Sequence, residues 1–137
     1  MIYNTTTDVL RLPKYVSRSN FFGGFMTGIS SDIIRGYNDT MILYLLLDKP
    51  SYGYEISKQI KALSNEKYIM KETTLYSAFT RMEKNGYITS FPGVGDNGGK
   101  KRTYYSITDA GREYYKARCE EWALTKEVVE QFIKKEN

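Results

Sequence analysis

Apolar residues recur every three or four positions between Ser31 and Asp48, and this spacing predicts a helix with one apolar face. Ser31 and Asp32 are typical of a helix start, and Pro50 pushes the residue before it out of the helical region. The last two turns are apolar on nearly every side, so we expect a partner chain to cover part of them. The predicted face consists of Ile34, Tyr37, Met41, Ile42, Leu45 and Leu46.

Two shorter helices are predicted next. The first begins at Ser51, which can cap it, and the second runs from about Thr73 to a left-handed stop at Asn85-Gly86. The inward positions of the first are Tyr52, Ile56, Ile60 and Leu63, and those of the second are Leu75, Phe79 and Met82.

The outward side of the helix over 73–84 carries short hydroxyls and a lysine, with Arg81 beside them. A helix with such a face can enter the major groove of DNA and reach base edges, although any solvated helix face has the same polarity. The polar stripe consists of Thr73, Ser77, Thr80 and Lys84.

Alternating β-forming residues then predict a hairpin from strands 87–91 and 102–107, joined by a glycine-rich tip over 92–99. Lys100, Lys101 and Arg102 stand at the start of the return strand. Their charge is suited to phosphate contacts that depend on salt and not on sequence. The alternative is an ordinary hairpin whose exposed edge is protected by lysines.

From Thr108-Asp109 a long final helix is predicted toward Lys134. Its apolar residues follow a spacing near 3.5 and would form a stripe that the small domain before it cannot cover. We therefore expect a second subunit to pack there. The stripe consists of Tyr115, Cys119, Trp122, Val129 and Phe132.

Residues 1–30 show no sustained periodicity and are interpreted as an arm or linker, so the predicted organisation is 1–30, 31–108 and 109–137. The net charge is +4, and from Lys49 to Arg102 ten basic residues face five acidic ones. Positive charge therefore lies where the helices and hairpin are predicted, which favours a polyanionic partner. A solvated surface with chance clustering would give the same count.

The chain has no histidine and one cysteine, Cys119, so neither a zinc site nor any other metal or cofactor is expected. No nucleophile is paired with a base, and the glycines of the hairpin tip do not have the spacing of a phosphate loop, so an enzyme is not expected. No apolar run suggests a membrane span or a signal peptide, and we expect a cytoplasmic protein.

Several sequence blocks in the right order resemble the PadR family of transcriptional regulators. They are SYGYEI over 51–56, TTLY over 73–76 and KKRTYYSITDAG over 100–111, with IRG at 34–36 and ILYLL at 42–46. The resemblance covers roughly residues 33–133. The chain departs from the usual pattern at Thr73, where glycine is common, at Ser77, where proline is common, and at Thr103, where a basic residue is common.

The resemblance implies a mainly α fold with a small β-hairpin wing (α+β), a winged helix-turn-helix followed by one long C-terminal helix. It implies a homodimer in which that helix pairs with the partner's first helix. It places the SYGYEI and TTLY blocks at or beside double-stranded DNA, which adds Tyr54, Thr74 and Tyr76 to the predicted contacts. Tyr52 is expected to pack in the core, and Gly53 to allow close approach of a neighbour.

The resulting prediction is a repressor that binds a palindromic operator as a homodimer; the alternative is a winged-helix module that binds protein and not DNA. Trp122 is either an anchor of the dimer or part of a cavity for a small aromatic effector, as in some family members. The predicted DNA contacts are Tyr54, Thr73, Thr74, Tyr76, Ser77, Thr80, Arg81, Lys84, Lys100, Lys101 and Arg102. The predicted dimer or ligand residues are Tyr37, Met41, Tyr115, Cys119, Trp122, Val129 and Phe132.

Overall fold

The computed structural model of the protein describes residues 28–94 and 99–135. The predicted arm over 1–30 therefore lies outside the described residues, apart from its last three. The described residues divide into two compact units, one within 37–120 and the other formed by 28–36 and 121–135. The larger unit contains the core and all three strands.

The predicted first helix is not continuous. A short helix α1 over Ser31–Ile34 is followed by a 3-10 turn over Arg35–Tyr37, and helix α2 runs over Asn38–Leu46. The break contains Gly36, and glycine lowers helix stability more than any residue except proline. The cap of α1 is Ser30, not Ser31, because the Ser30 side chain accepts a hydrogen bond from the Ile33 amide.

The buried face of α2 also differs from the predicted one. Ile42 and Leu46 are buried as predicted, but Met41 and Leu45 are only partly buried, and Leu43 is fully buried. Two polar residues at the start of α2, Asn38 and Asp39, are buried as well. Both polar side chains have hydrogen-bond partners: the Tyr68 hydroxyl donates to Asn38 at 2.7 Å, and Asp39 accepts from Arg81 and Tyr114.

The sequence predicted that Ser51 caps a helix. Ser51 instead belongs to a two-residue strand, β1 (Ser51–Tyr52). Helix α3 follows over Gly53–Leu63, and its N-cap, Tyr52, makes no side-chain capping bond. Ser51 and Tyr52 are buried by pairing with a strand far along the chain, which the local sequence does not reveal. Leu63 was predicted inward but is 64% exposed at the end of the helix.

Helix α4 runs over Glu72–Lys84, close to the predicted bounds, and buries the three predicted residues together with Ala78. Gly86 follows it with a φ of 83°, a left-handed conformation that favours glycine. The predicted stop is confirmed.

Strand β2 covers Ile88–Val94 and strand β3 covers Lys101–Ile107; the sheet order is β1-β3-β2, with both pairings antiparallel. β2 is longer than predicted, because Pro92 and Gly93 pair with β3 and do not belong to the tip. Proline is tolerated there since β2 is an edge strand. The Tyr104 ring lies across Gly93, where a β carbon would come within 2.6 Å of it.

The core lies between the helices α2, α3 and α4 and the inner face of the sheet. At its centre, Phe79 of α4 stacks on Tyr105 of β3 with ring centroids 3.9 Å apart. The largest fully buried side chains are Phe79, Ile42, Leu43, Leu46, Ile56, Leu75, Met82 and Ile88. This core holds α4 against the sheet, so that the opposite side of α4 faces outward.

Helix α5 begins at Asp109, as predicted, and ends at Glu130, before the predicted Lys134. The Thr108 hydroxyl accepts a hydrogen bond from the Gly111 amide at 2.9 Å and donates one to the Gly86 carbonyl at 2.7 Å. One side chain thus caps α5 and ties its start to the end of α4. The predicted fold class, mainly helical with a small hairpin wing, is confirmed. No helix among the described residues is long and apolar enough to cross a membrane.

Candidate nucleic-acid interface

The predicted polar stripe of α4 lies on its outer surface. All four of its residues are exposed, whereas Thr74, also predicted to contact DNA, is half-buried. The Thr80 hydroxyl donates to the Tyr76 carbonyl one turn earlier at 3.0 Å, which leaves its lone pairs available to accept a hydrogen bond. The exposed stripe consists of Thr73, Ser77, Thr80 and Lys84.

Arg81 lies beside this stripe and is engaged by a side chain that the sequence did not single out. A terminal nitrogen of its guanidinium forms a charged hydrogen bond with one carboxylate oxygen of Asp39 on α2. The Arg81 side chain is 52% exposed and that of Asp39 only 10%. The second carboxylate oxygen accepts a hydrogen bond from the Tyr114 hydroxyl on α5 at 3.1 Å.

A pocket of about 290 Å³ lies between the start of α3 and the start of α4. The Tyr76 ring covers Gly53 so closely that a β carbon there would lie 2.9 Å from the ring carbon that bears the hydroxyl. The close approach predicted at Gly53 is therefore an approach of this side chain. Tyr76 and Tyr54 are both exposed at this position. The lining is formed by Gly53, Tyr54, Ser57, Glu72, Leu75 and Tyr76.

The basic residues of the wing differ from one another. Lys100 and Lys101 are exposed, but Arg102 is half-buried, with its guanidinium carbon 4.4 Å from the centre of the Tyr52 ring. Its Nε is buried and makes no hydrogen bond within the described residues. Stacking on Tyr52 occupies one face of the guanidinium and fixes it to the outer face of the sheet. The sequence placed all three residues together as phosphate contacts and could not distinguish Arg102.

The sequence model of the "Transcriptional regulator PadR-like family" matches residues 42–117, which include α3, α4, the wing and the start of α5. The chain belongs to the PadR-like family of transcriptional regulators. The resemblance read from the sequence blocks is confirmed, and the outward stripe and the exposed lysines lie on the DNA-binding fold of this family.

Individual proteins are also similar to this chain. An uncharacterized protein of Lysinibacillus sphaericus is 44% identical over 105 residues, 77% of this chain and 95% of the relative. A transcriptional regulator from Clostridium thermocellum is 60% identical with a TM-score of 0.70, covering 76% of this chain and all of that structure. A PadR family regulator from Clostridium difficile R20291 is 35% identical with a TM-score of 0.60, covering 70% and 97%.

The residues that the sequence assigned to the dimer or to a ligand differ in exposure in this PadR-like protein. In the larger unit, Tyr37, Met41, Tyr115 and Cys119 are half-buried. In the other unit, Trp122, Val129 and Phe132 are exposed. Further exposed apolar side chains on or just after the last turns of α5 are Leu124, Val128 and Ile133.

The larger unit of this PadR-like protein has an open, mainly apolar groove of about 340 Å³. Two of the residues predicted to serve the dimer or a ligand, Met41 and Tyr115, line this groove. Burial, together with a hydrogen bond to Cys119, raises the pKa of the Tyr115 hydroxyl to about 12. The groove is lined by Thr40, Met41, Tyr44, Leu45, Ile60, Leu63, Ser64 and Tyr115.

Proposed function

We propose that this PadR-like protein is a homodimeric repressor that binds a partly palindromic operator through two winged helices. The observation that carries the proposal is the exposed stripe of hydroxyls and a lysine along α4, together with two exposed lysines at the start of the return strand of the wing. Both surfaces belong to the larger unit. A cytoplasmic location is part of the proposal, because a regulator of this kind acts at the chromosome.

Reading of the operator is assigned to α4. The major groove of DNA is about 12 Å wide and admits a helix, and short hydroxyl side chains reach base edges without steric conflict. Thr73, Ser77 and Thr80 supply such hydroxyls, while Lys84 supplies a charge at the end of the helix. The proposal also assigns Tyr54 and Tyr76 to phosphates near the start of α3, where unpaired backbone amides attract anions.

The wing is assigned a different role. Lys100 and Lys101 carry full charges at an exposed position and would displace counterions from the DNA backbone. Such contacts raise affinity for any sequence and weaken as salt increases. Arg102 is assigned to the structure of the sheet, because its guanidinium is stacked on Tyr52.

Dimerisation is assigned to helix α5. Its last turns, and the residues just after them, carry exposed apolar side chains that include Trp122, Val129 and Phe132. Apolar patches of this kind on a helix are typical of protein interfaces, and the proposed occupant is the first helix of a second copy, as the family resemblance implies. Two subunits with recognition helices about 34 Å apart would contact half-sites about ten base pairs apart, or a multiple of that.

A small aromatic effector that releases DNA is a second part of the proposal. The apolar groove of the larger unit supports it, because Tyr44 and Tyr115 offer aromatic surfaces and a flat apolar molecule fits a space of this kind. Titration calorimetry with planar aromatic compounds, together with release of bound DNA, tests this part. A compound that binds without releasing DNA would count against it.

The main test is selection of DNA from a random pool, followed by fluorescence anisotropy with the selected duplex and with a scrambled duplex at several salt concentrations. We expect tight, salt-dependent binding to the selected duplex, with symmetric half-sites. Absence of sequence preference at every salt concentration would instead support a protein-interaction module. In vitro transcription from a promoter that carries the selected sequence distinguishes repression from activation.

A further inference from the structure

Asp39 is a nearly buried acid that connects three helices of the larger unit. It lies in the first turn of α2, and its carboxylate binds Arg81 of α4 through one oxygen and Tyr114 of α5 through the other. A buried carboxylate with two donors on two different helices has little freedom to move. Its partner Arg81 is held on one flank of the recognition helix, next to the polar stripe.

Tyr114 is itself held in place. Its ring stacks on that of Tyr87, with centroids 4.1 Å apart and the planes 6° from parallel. Tyr87 follows Gly86 directly after α4, and its amide donates a hydrogen bond to the Met82 carbonyl at 2.9 Å. The second donor to Asp39 is thus fixed to the end of the same helix that carries Arg81.

We propose that Asp39 is a positioning residue that determines DNA specificity by controlling Arg81. The carboxylate cancels much of the charge that Arg81 would otherwise offer to any phosphate. It also restrains the guanidinium through one terminal nitrogen, and the remaining donors stay accessible because the side chain is half exposed. An arginine oriented in this way favours one arrangement of acceptors, whereas a free arginine binds any DNA backbone.

The inference rests on the proposed recognition surface and adds to it a residue that does not touch DNA. Asp39 is buried under α4, so its influence on binding passes through Arg81. This dependence provides the test, because a merely structural role of Asp39 would not require the arginine.

The experiment compares the full-length chain with Asp39→Asn, Arg81→Ala and the double variant, using the selected duplex and a random duplex across a salt series. In Asp39→Asn we expect the ratio of the two affinities to fall roughly fivefold or more. We expect binding to random DNA to rise, with a log–log salt slope steeper by up to about one unit per subunit. In the Arg81→Ala background, the same change should leave the ratio unaltered.

Glu83→Gln is the matched control for charge. Glu83 is an exposed acid of α4 whose carboxylate accepts a hydrogen bond from Ser90, and it does not contact Arg81 in any hydrogen bond described for it. Its replacement removes one negative charge from the same helix. This replacement should therefore change the affinities for the selected and the random duplex by the same factor and leave their ratio unchanged.

Tyr114→Phe keeps the aromatic ring and both members of the ion pair but removes the second hydrogen bond to Asp39. We expect the ratio of the affinities for the selected and the random duplex to fall, but less than in Asp39→Asn. If Asp39→Asn does not fold, Tyr114→Phe provides the test. The inference is overturned if both variants keep the wild-type ratio, or if the effect of Asp39→Asn persists without Arg81. A wild-type protein without salt-dependent DNA binding would overturn the proposed function instead.

Discussion

The carbonyl oxygen of Tyr87 occupies the space that a β carbon on Gly111 would need, so that a side chain at Gly111 would overlap the backbone. A β carbon there would also lie 2.8 Å from Cγ1 of Ile107. The glycine near the start of α5 is therefore required because the helix begins in contact with the turn after α4. The sequence alone gives no reason for a glycine at this position.

Gly111→Ala should destabilise the protein by about 1–3 kcal/mol, because backbone atoms and a packed isoleucine must shift to accommodate the methyl group. Urea unfolding followed by circular dichroism measures the change. Gly28→Ala is the control, since a β carbon at Gly28 meets nothing within 4 Å. Equal stability of the two variants would show that the contact relaxes without cost.

Replacing Lys100 and Lys101 by Ala should flatten the log–log salt dependence of DNA binding by up to about 2 units per subunit, because two phosphate contacts are lost. The ratio of operator to random binding should change little. Alanine at Lys116 and Lys126, two exposed lysines of α5, removes the same charge and should leave the slope near that of the wild type. An unchanged slope in the wing variant would remove the wing from the interface.

Arg102→Ala should act mainly on the sheet. The guanidinium covers the Tyr52 ring, so its removal exposes an aromatic residue that is 9% exposed in the structure. We expect a lower midpoint of thermal unfolding and a salt slope that changes less than in the double lysine variant. A slope that falls by a full unit with no loss of stability would assign Arg102 to phosphate contact, as the sequence first indicated.

Thr80→Ala should weaken binding to the operator by about 1–3 kcal/mol if the Thr80 hydroxyl contacts a base edge. Binding to random DNA should weaken much less. Thr80→Ser is the conservative control, because it keeps the hydroxyl and its hydrogen bond to the Tyr76 carbonyl. Anisotropy with both duplexes measures the ratio. Equal weakening on both would mean that this part of α4 touches phosphates only.

Truncation from about Ala117 onward should yield monomeric or aggregated protein with little affinity for the operator, because each half-site supplies only part of the binding energy. Trp122→Ala separates the two roles left open for that residue. If Trp122 anchors the dimer, the variant should form a weaker dimer. If Trp122 is part of a ligand site, the variant should remain a dimer, but aromatic compounds should no longer release DNA from it. Analytical ultracentrifugation decides, and a truncated protein that remains a tight dimer contradicts the assignment of α5.

Stability should decline above pH 10. Burial raises the pKa of Tyr68, Tyr105, Tyr114 and Tyr115 above the value of 10.0 expected for an unfolded chain, and that of Tyr115 to about 12. The folded state therefore holds these protons more strongly, so the stabilisation is complete below pH 10 and is lost as the pH rises toward 12. Thermal unfolding from pH 8 to 12 measures the decline, which Tyr115→Phe should reduce.

Much of the fold could be predicted because its signals are local. The bounds of α4, its inward residues and the stop at Gly86 follow from periodicity and from one glycine. Strand β1 could not be predicted, since two residues carry no alternating pattern and their partners in β3 lie far along the chain. The 3-10 turn before α2 was missed because the apolar spacing continues across Gly36.

In the candidate site, too, some features could be predicted from the local sequence and others depend on tertiary contacts. The exposed stripe of α4 and the exposed lysines of the wing follow from residue type and helical or strand spacing. The pairing of Arg81 with Asp39 joins residues 42 positions apart, and the stacking of Arg102 on Tyr52 joins two different strands. Which arginine is accessible to DNA is decided by these tertiary contacts, and a sequence pattern does not contain them.

The short strand β1 has a further consequence. Its two residues pair with β3 and lead directly into α3, so the strand that carries Lys101 and the start of α3 share one hydrogen-bonded junction. The spacing between wing and helix start is thereby set inside the subunit. Under the proposed function, Lys101 and the start of α3 would contact two phosphates at this set distance, which would match only a limited range of minor-groove widths. We therefore expect A-tracts, which narrow that groove, to alter affinity even where no side chain touches a base.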